Sequence, residues 1–504
     1  MANPLTRTKS VEQSMADTDE PDHKLRKDLG VFDLIVFGVA VVIGAGIFTI
    51  TVSTAGDKAG PAISLSFVMA AITCALAALC YAEFASTVPV AGSAYTFGYA
   101  TFGEFLAWIL GWDLILEFAV GAAVVSKGWS SYLANVFGFH GAGGEKSATF
   151  AIGSHTVDWG ALVIVAIVTV LLVLGTKLSS RFSAIITAIK VGVVLLVIVL
   201  GFFYIKTDNY KPFIPPAETG KGSEASVDST LFSLITGHGD TSYGWFGVLA
   251  AASIVFFAFI GFDVVATTAE ETRNPRRDVP RGILGSLAIV TVLYVLVTIV
   301  VTGMVNYKQL ATGDGEAKNL ADVFALNGIT WAEKVIAIGA LAGLTTVVMV
   351  LMLGQSRVLF AMCRDGLLPR GMSKTNPRFG TPARLTILIG VVVALVAGFF
   401  PINKLEEMVN VGTLFAFIVV AGGVIMLRRT RPDLERGFTV PGGPVIPVLA
   451  ILACLWLMLN LSALTWIRFV IWMVLGVAIY FLYSQRHSMV GKRERGEVES
   501  VDTA

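Results

Sequence analysis

The residues of this chain with chemistry to offer sit inside its most apolar stretches. Val31 to Ile50 reads VFDLIVFGVAVVIGAGIFTI, with Gly44-Ala45-Gly46 past its middle. Trp245 to Glu271 reads WFGVLAAASIVFFAFIGFDVVATTAEE, and there Gly261 is followed closely by Asp263. Ser180 to Leu200 reads SRFSAIITAIKVGVVLLVIVL, with Lys190 at its centre. This is binding chemistry rather than bond-making chemistry. A helix broken at small residues frees backbone N–H and C=O groups. Freed N–H groups at the positive end of a half-helix suit a carboxylate, and freed carbonyls suit an ammonium. The N–H groups of Gly44, Ala45 and Gly46 fit the first role. Gly-x-Gly has a second reading as a surface for close helix packing.

Composition sets the frame for these residues. The chain has 504 residues, 55% apolar and only 14% charged, with mean hydropathy +0.76. A soluble domain carries about 25% charged residues, so a polytopic membrane protein is expected. A net charge of +1 gives no basic surface for nucleic acid. Cys74, Cys80, Cys363 and Cys454 all fall in apolar runs and read as buried hydrophobes, with no metal spacing. His23, His140, His155, His238 and His487 all fall in tails or loops, so no His cluster points to an intramembrane enzyme. No G-x-x-x-x-G-K-[ST] loop is present, so ATP is not the direct energy source. No cofactor is expected.

A span takes about 20 apolar residues. Twelve are expected, near 32–56, 61–85, 104–136, 159–176, 181–205, 244–270, 280–304, 332–363, 383–400, 405–427, 443–461 and 465–484. Basic residues alternate across them. Lys24, Arg26, Lys27, Lys177, Arg181, Arg273, Arg276, Arg277, Arg281, Arg357, Arg364, Arg370, Lys374, Arg378, Arg384, Arg428, Arg429, Arg431 and Arg436 fall on one side. The opposite loops hold only scattered lysines such as Lys58, Lys146, Lys206 and Lys404. The positive-inside rule places both termini in the cytoplasm. The expected organisation is a cytoplasmic tail over 1–30, a ten-helix core over 31–430, two further helices over 431–484 and a second tail over 485–504.

The two Gly-interrupted spans lie five apart, which is the pattern left by inverted five-helix repeats around a transport site. Their residues also carry a resemblance. Gly44-Ala45-Gly46-Ile47-Phe48 is similar to the first-helix signature of amino-acid permeases, and Phe256 to Asp263 is similar to their sixth-helix signature. Thr267-Thr268-Ala269-Glu270-Glu271 and Asn274-Pro275-Arg276-Arg277-Asp278-Val279-Pro280 continue that signature. Tyr81-Ala82-Glu83-Phe84 and Pro89-Val90-Ala91-Gly92-Ser93-Ala94-Tyr95 match the end of the second helix. From about Arg26 to Arg486 the chain resembles the cationic amino acid transporter branch of the amino acid–polyamine–organocation superfamily.

The resemblance implies an all-α leucine-transporter-like fold that moves amino acids across the plasma membrane. It implies that the substrate ammonium meets carbonyls of Val42, Phe257, Ala258 and Ile260. Phe257 and Phe262 are candidate walls for the substrate side chain. Ala45 departs from relatives with Ser or Thr there, which removes a hydroxyl contact. The resemblance also places Lys190 where a sodium ion sits in the leucine-transporter-like fold. Its ammonium would bridge the first-helix break, at the Gly44 carbonyl, and Thr345 or Thr346 of the eighth span. The expectation is proton-coupled symport: protonated, Lys190 holds the site shut around substrate, and neutral, it lets go. Amino-acid exchange and sodium coupling stand as alternatives.

Other charges have weaker claims. Glu117, beside Asp113 and Lys127 in the third span, is a candidate to receive a proton or a cationic side chain, or a structural hydrogen-bond partner. Asp263 is expected to cap the second half of the sixth span. Glu83, Glu270 and Glu271 with Arg276, Arg277 and Arg364 form either an inner gate network or a solvated face. Asn209 to Pro216 reads as a rigid, extended outer lid.

Overall fold

The computed structural model describes residues 7, 29–87, 93–141, 146–153, 155–175, 180–219, 227–237, 241–312, 318–374, 376 and 381–495. Lys24, Arg26, Lys27, Pro89 to Gly92, Lys177, Arg378, His23 and His238 lie outside these residues, as do the side chains of His155, Arg181, Glu270 and Glu271.

The apolar helices are α1 (Val31–Val42), α2 (Ile63–Thr87), α3 (Glu104–Phe137), α4 (Trp159–Val173), α5 (Ser180–Phe202), α6 (Gly244–Val255), α7 (Pro275–Met304), α8 (Thr330–Arg364), α9 (Ala383–Phe399), α10 (Ile402–Thr430), α11 (Val445–Leu459) and α12 (Ala463–Ile479). Among the described residues, eight helical runs are long and apolar enough to cross a membrane, the first of them, Val31–Thr87, containing both α1 and α2. α4, α9 and α11 have only 15, 17 and 15 residues, short of the roughly 20 a full span takes. α4 starts where Asp158 caps it, the carboxylate accepting the Ala161 N–H at 3.0 Å.

Burial runs opposite to that of a soluble protein. On α5, Ile185, Ile189, Leu195, Val199 and Phe202 are exposed along one face, while Lys190 on the opposite face is 1% exposed. On α12, Ile467, Val470, Ile471, Val474 and Leu475 form a similar outward stripe. Such faces are stable only against an apolar surrounding, which makes this a multi-pass membrane protein. The polar groups go inward. α3 is buried along most of its length and packs against α4, α8, α9 and α10. Its Lys127 is held by Asp158 at 3.3 Å and by the Ala397 carbonyl at 3.1 Å, so this charge ties α3 to α4 and α9.

One end of the bundle is sealed over the first and sixth helical segments. The Tyr243 N–H donates to the Lys58 carbonyl at 2.7 Å and the Gly244 N–H to the Pro215 carbonyl at 3.0 Å. The Pro-rich stretch expected as an extended lid begins instead as a short 3₁₀ turn, Thr207–Tyr210. Side chains pin this turn to α7, Asn209 donating to the Gly303 carbonyl at 2.7 Å and Tyr210 to the Ile299 carbonyl at 2.7 Å.

At the other end, Glu83 of α2 is buried and faces Arg428 of α10 in a two-pronged pair, one prong being Nε to Oε1 at 2.7 Å. The Val440 N–H donates to the same carboxylate at 2.7 Å. Arg276 pairs with Glu435. Of the residues read as an inner gate network or a solvated face, Glu83 and Arg276 thus pair with charges brought by α10 and the α10–α11 connection, and the side chains of Glu270 and Glu271 lie outside the described residues.

Removing Arg428 takes both prongs from the buried Glu83 carboxylate and leaves it, among the described residues, Arg436 Nε at 3.6 Å as its remaining cation. Arg428→Ala is expected to destabilise the protein by roughly 3 kcal/mol, read as a lower melting temperature in detergent. The double variant Glu83→Gln/Arg428→Met is expected to recover much of that loss.

Candidate functional site

α1 stops at Val42 because the next residue leaves helical space: Ile43 has φ −69° and ψ 95°. The chain resumes with a Phe48 N–H bond to the Gly44 carbonyl at 3.3 Å. The amides of Gly44, Ala45 and Gly46 therefore belong to the unpaired first turn of a new half-helix. Gly46–Ile50 continues with a wide π-type turn, and the Thr51 hydroxyl donates to the Gly46 carbonyl at 2.8 Å. Short π segments inside helices concentrate at functional sites.

The sixth segment breaks in a different way. After α6 it tightens into a 3₁₀ turn, Phe256–Phe259, and then extends at Ile260 (φ −63°, ψ 137°). Gly261 follows at φ +114°, where an L side chain is strained. Phe262–Glu271 then runs as ten residues of 3₁₀ helix rather than the expected α-helix. Runs this long are uncommon and mark strain or a hinge. Asp263 sits in its first turn, buried, with Oδ1 unpartnered among the described residues.

The two breaks touch. A Cβ built on Gly46 falls 2.2 Å from Ala258 Cα and 2.4 Å from Ala258 Cβ. A Cβ on Gly261 falls 2.7 Å from Val41 Cγ1. The two readings of Gly44-Ala45-Gly46, close packing and broken helix, thus hold at different residues. Gly46 is a packing glycine, whereas a Cβ on Gly44 meets Val347 at 3.5 Å and the Val42 carbonyl at 3.8 Å, which are ordinary contacts.

Beside the junction lies a cavity of about 30 Å³. Val41, Val42, Gly44, Ala45 and Gly46 line it from the first break, and Phe257 and Ile260 from the second. α3 contributes Glu117, Gly121 and Val125, α8 contributes Val347 and Leu351, and α10 contributes Val409. Glu117 is the sole ionisable side chain among these residues. Asp113 and Asp263 are buried as well, Asp113 with both oxygens unpartnered among the described residues.

Several expected residues fall elsewhere. Ala258 does not line the cavity and serves instead as the contact for Gly46. Phe262 is not a wall but packs against Phe417 and Tyr81, with ring centroids 5.2 and 6.1 Å away. The Val42 carbonyl already accepts the Tyr294 hydroxyl at 2.7 Å, leaving one further lone pair for a ligand.

Lys190 stands behind α1, outside the cavity lining. Its ammonium donates at 2.7 Å to the Ala40 carbonyl, one turn before the expected Gly44. Thr345 donates to the Leu341 carbonyl at 2.8 Å and accepts from Trp129 at 3.0 Å, while Thr346 donates to the Gly343 carbonyl at 2.7 Å. Both hydroxyls donate to the preceding turn of their own helix, and among the described residues the acceptor for the Lys190 ammonium is the Ala40 carbonyl and neither hydroxyl. α8 meets Lys190 through Gly343, where a Cβ would fall 2.8 Å from Lys190 Cγ. Lys190 still joins α5, α1 and α8, but through a different carbonyl and a bare glycine. Ala40, Gly343 and Tyr294 carried no signal in the sequence. Glu117, Gly121 and Val125, spaced four apart on one helical face, did.

The glycines of the first break give a contrast. Gly46→Ala is expected to cost about 3 kcal/mol, since the methyl meets Ala258 backbone. Gly44→Ala is expected to leave the melting temperature in detergent near that of the parent protein. Equal melting temperatures for the two variants would overturn this account of the junction.

The comparisons with known proteins agree with this architecture. Residues 29–491 match the family model described as amino acid permease. The branched-chain amino acid permease BcaP of Bacillus subtilis (strain 168) is 43% identical over 497 residues, covering 98% of this chain and 100% of the relative. The methylthioribose transporter of the same organism is 40% identical over 491 residues, covering 97% and 99%. The vacuolar cationic amino acid transporter 4 of Arabidopsis thaliana is 36% identical over 438 residues, covering 86% and 68%. With this family match spanning nearly the whole chain, and two broken helices meeting at a buried cavity, the protein belongs to the amino acid permease family, a family of membrane transporters and not of enzymes.

Proposed function

We propose that this protein is a secondary active transporter that carries neutral, aliphatic amino acids across the plasma membrane in symport with protons. The observation that carries this reading is the cavity at the two breaks. Free amides of Gly44 to Gly46 lie at one wall, and apolar side chains make up most of the others. Bare backbone meets the carboxylate and ammonium common to all amino acids, and the apolar walls favour a substrate side chain without charge. A cationic side chain would find Glu117 alone. That one relative is named a branched-chain amino acid permease agrees with the apolar lining.

A twelve-span arrangement in two inverted halves, α1–α5 and α6–α10, fits the packing. α3 packs extensively on α8 and α2 on α7, each pair five helices apart, as expected of counterparts related by a pseudo-twofold axis. In this reading residues 31–430 form the transport core, α11 and α12 support it from 431–484, and both tails face the cytoplasm. A cavity of about 30 Å³ holds no more than two or three waters. Substrate therefore enters when the broken segments swing away from α3 and α8, and the long 3₁₀ run after Gly261 is the natural place for that motion.

Coupling falls to Lys190. A buried ammonium on the Ala40 carbonyl holds the end of α1 against α5 and α8. Loss of its proton removes the charge from that bond and frees α1 to move. The resemblance puts this ammonium where a sodium ion would sit, which supports a reading of protons over sodium.

Two measurements test this. Purified protein in proteoliposomes is expected to accumulate valine, leucine and isoleucine under an imposed proton gradient, and lysine, arginine and methylthioribose weakly. Uptake of none of the aliphatic amino acids would remove the proposal. Lys190→Ala loses a charge-assisted bond and is expected to lower gradient-driven uptake roughly tenfold or more. A variant that kept full pH-driven accumulation would remove Lys190 from the coupling, and accumulation only against a preloaded amino acid would point to exchange.

A further inference from the structure

α3 carries glycines at 111, 121 and 128 that face into the protein, and only two of them are required by packing. A Cβ on Gly111 would fall 2.8 Å from Met362 Sδ, and a Cβ on Gly128 would fall 2.8 Å from Thr49 Oγ1. At Gly121 the nearest atoms would be Leu351 Cδ1 at 3.6 Å and Val409 Cγ1 at 4.0 Å, which is ordinary contact. Nothing in the backbone requires glycine there either, since its φ is not in the left-handed region. A glycine inside a helix costs about 1 kcal/mol relative to alanine. Here that cost has no return in packing.

What Gly121 does provide is space. It lies midway along the α3 face that lines the cavity, one turn from Glu117 and one turn from Val125. Leu351 and Val409 stand across the gap. The broken segments present their backbone from the other side. A ligand held by the amides of Gly44 to Gly46 would direct its side chain into this gap.

We propose that Gly121 sets the size limit for the substrate side chain: the missing methyl is the seat of the branched end of an aliphatic amino acid, walled by Leu351 and Val409. This rests on the transport reading above and deepens it. A methyl at position 121 takes space from the ligand while leaving the protein's own packing intact. It acts on long side chains and spares short ones, because alanine does not reach the gap.

The test is uptake of alanine, valine, leucine and phenylalanine by proteoliposomes holding the wild type or Gly121→Ala, with melting temperatures measured alongside. The variant is expected to raise KM for leucine about tenfold or more while KM for alanine stays within about twofold. Leu351→Ala opens the same gap from the opposite wall, and is expected to raise uptake of phenylalanine relative to leucine. A Gly121→Ala protein that loses alanine and leucine equally, or neither, overturns the inference and leaves the transport reading standing. A Leu351→Ala protein with an unchanged phenylalanine-to-leucine ratio does the same. A wild type that moves none of the four overturns both.

Discussion

Inside an apolar body, a backbone N–H or C=O without a partner costs several kcal/mol, and two interrupted helices expose several such groups at once. The structure answers this cost group by group. The Val42 carbonyl takes the Tyr294 hydroxyl, the Ala40 carbonyl takes the Lys190 ammonium, and the Phe48 carbonyl takes the Tyr132 hydroxyl. The partners come from α7, α5 and α3, so satisfying one break fixes the position of three other helices. What is left over, the amides of Gly44 to Gly46, faces the cavity. In the proposed reading these donors receive the ligand, and the groups already satisfied hold the break in place.

This division of labour explains why the charges are so unevenly distributed. Lys127 and Asp158 pair across α3 and α4, and Glu83 pairs with Arg428 between α2 and α10. Both are ties between helices at the ends of the bundle. Lys190 differs because its partner is a carbonyl and not a carboxylate. An ammonium bound to a neutral acceptor has no fixed countercharge holding its proton in place. Glu117, in the cavity lining, and the buried Asp113 and Asp263 are carboxyl groups.

Glycine in this chain does two opposed jobs. At Gly46 it removes a side chain so that two segments can touch, and at Gly121 it removes one where a Cβ would make only ordinary contact. The same letter in the sequence therefore reads as contact in one place and as vacancy in another. Relatives named for branched-chain amino acids, for methylthioribose and for cationic amino acids differ in cargo at comparable similarity.

Hydropathy by itself determined the membrane setting and, within a few residues, most of the helices, because the period and length of apolar runs are local properties. It also determined the two breaks, since Gly44-Ala45-Gly46 and Gly261 interrupt those runs visibly. Tertiary structure decided what each exposed group meets. It placed Lys190 on Ala40 and not Gly44, because the rise and rotation of α5 against α1 select one turn of carbonyls. It left Thr345 and Thr346 donating to carbonyls of their own helix, while the Lys190 ammonium reached the Ala40 carbonyl instead. It turned Phe262 away from the cavity toward Phe417 and Tyr81, through the left-handed turn at Gly261. It drew Val347, Leu351 and Val409 into one wall from helices far apart in sequence. Local pattern fixes where the chain breaks; only the packing of distant helices fixes what fills the space beside the break.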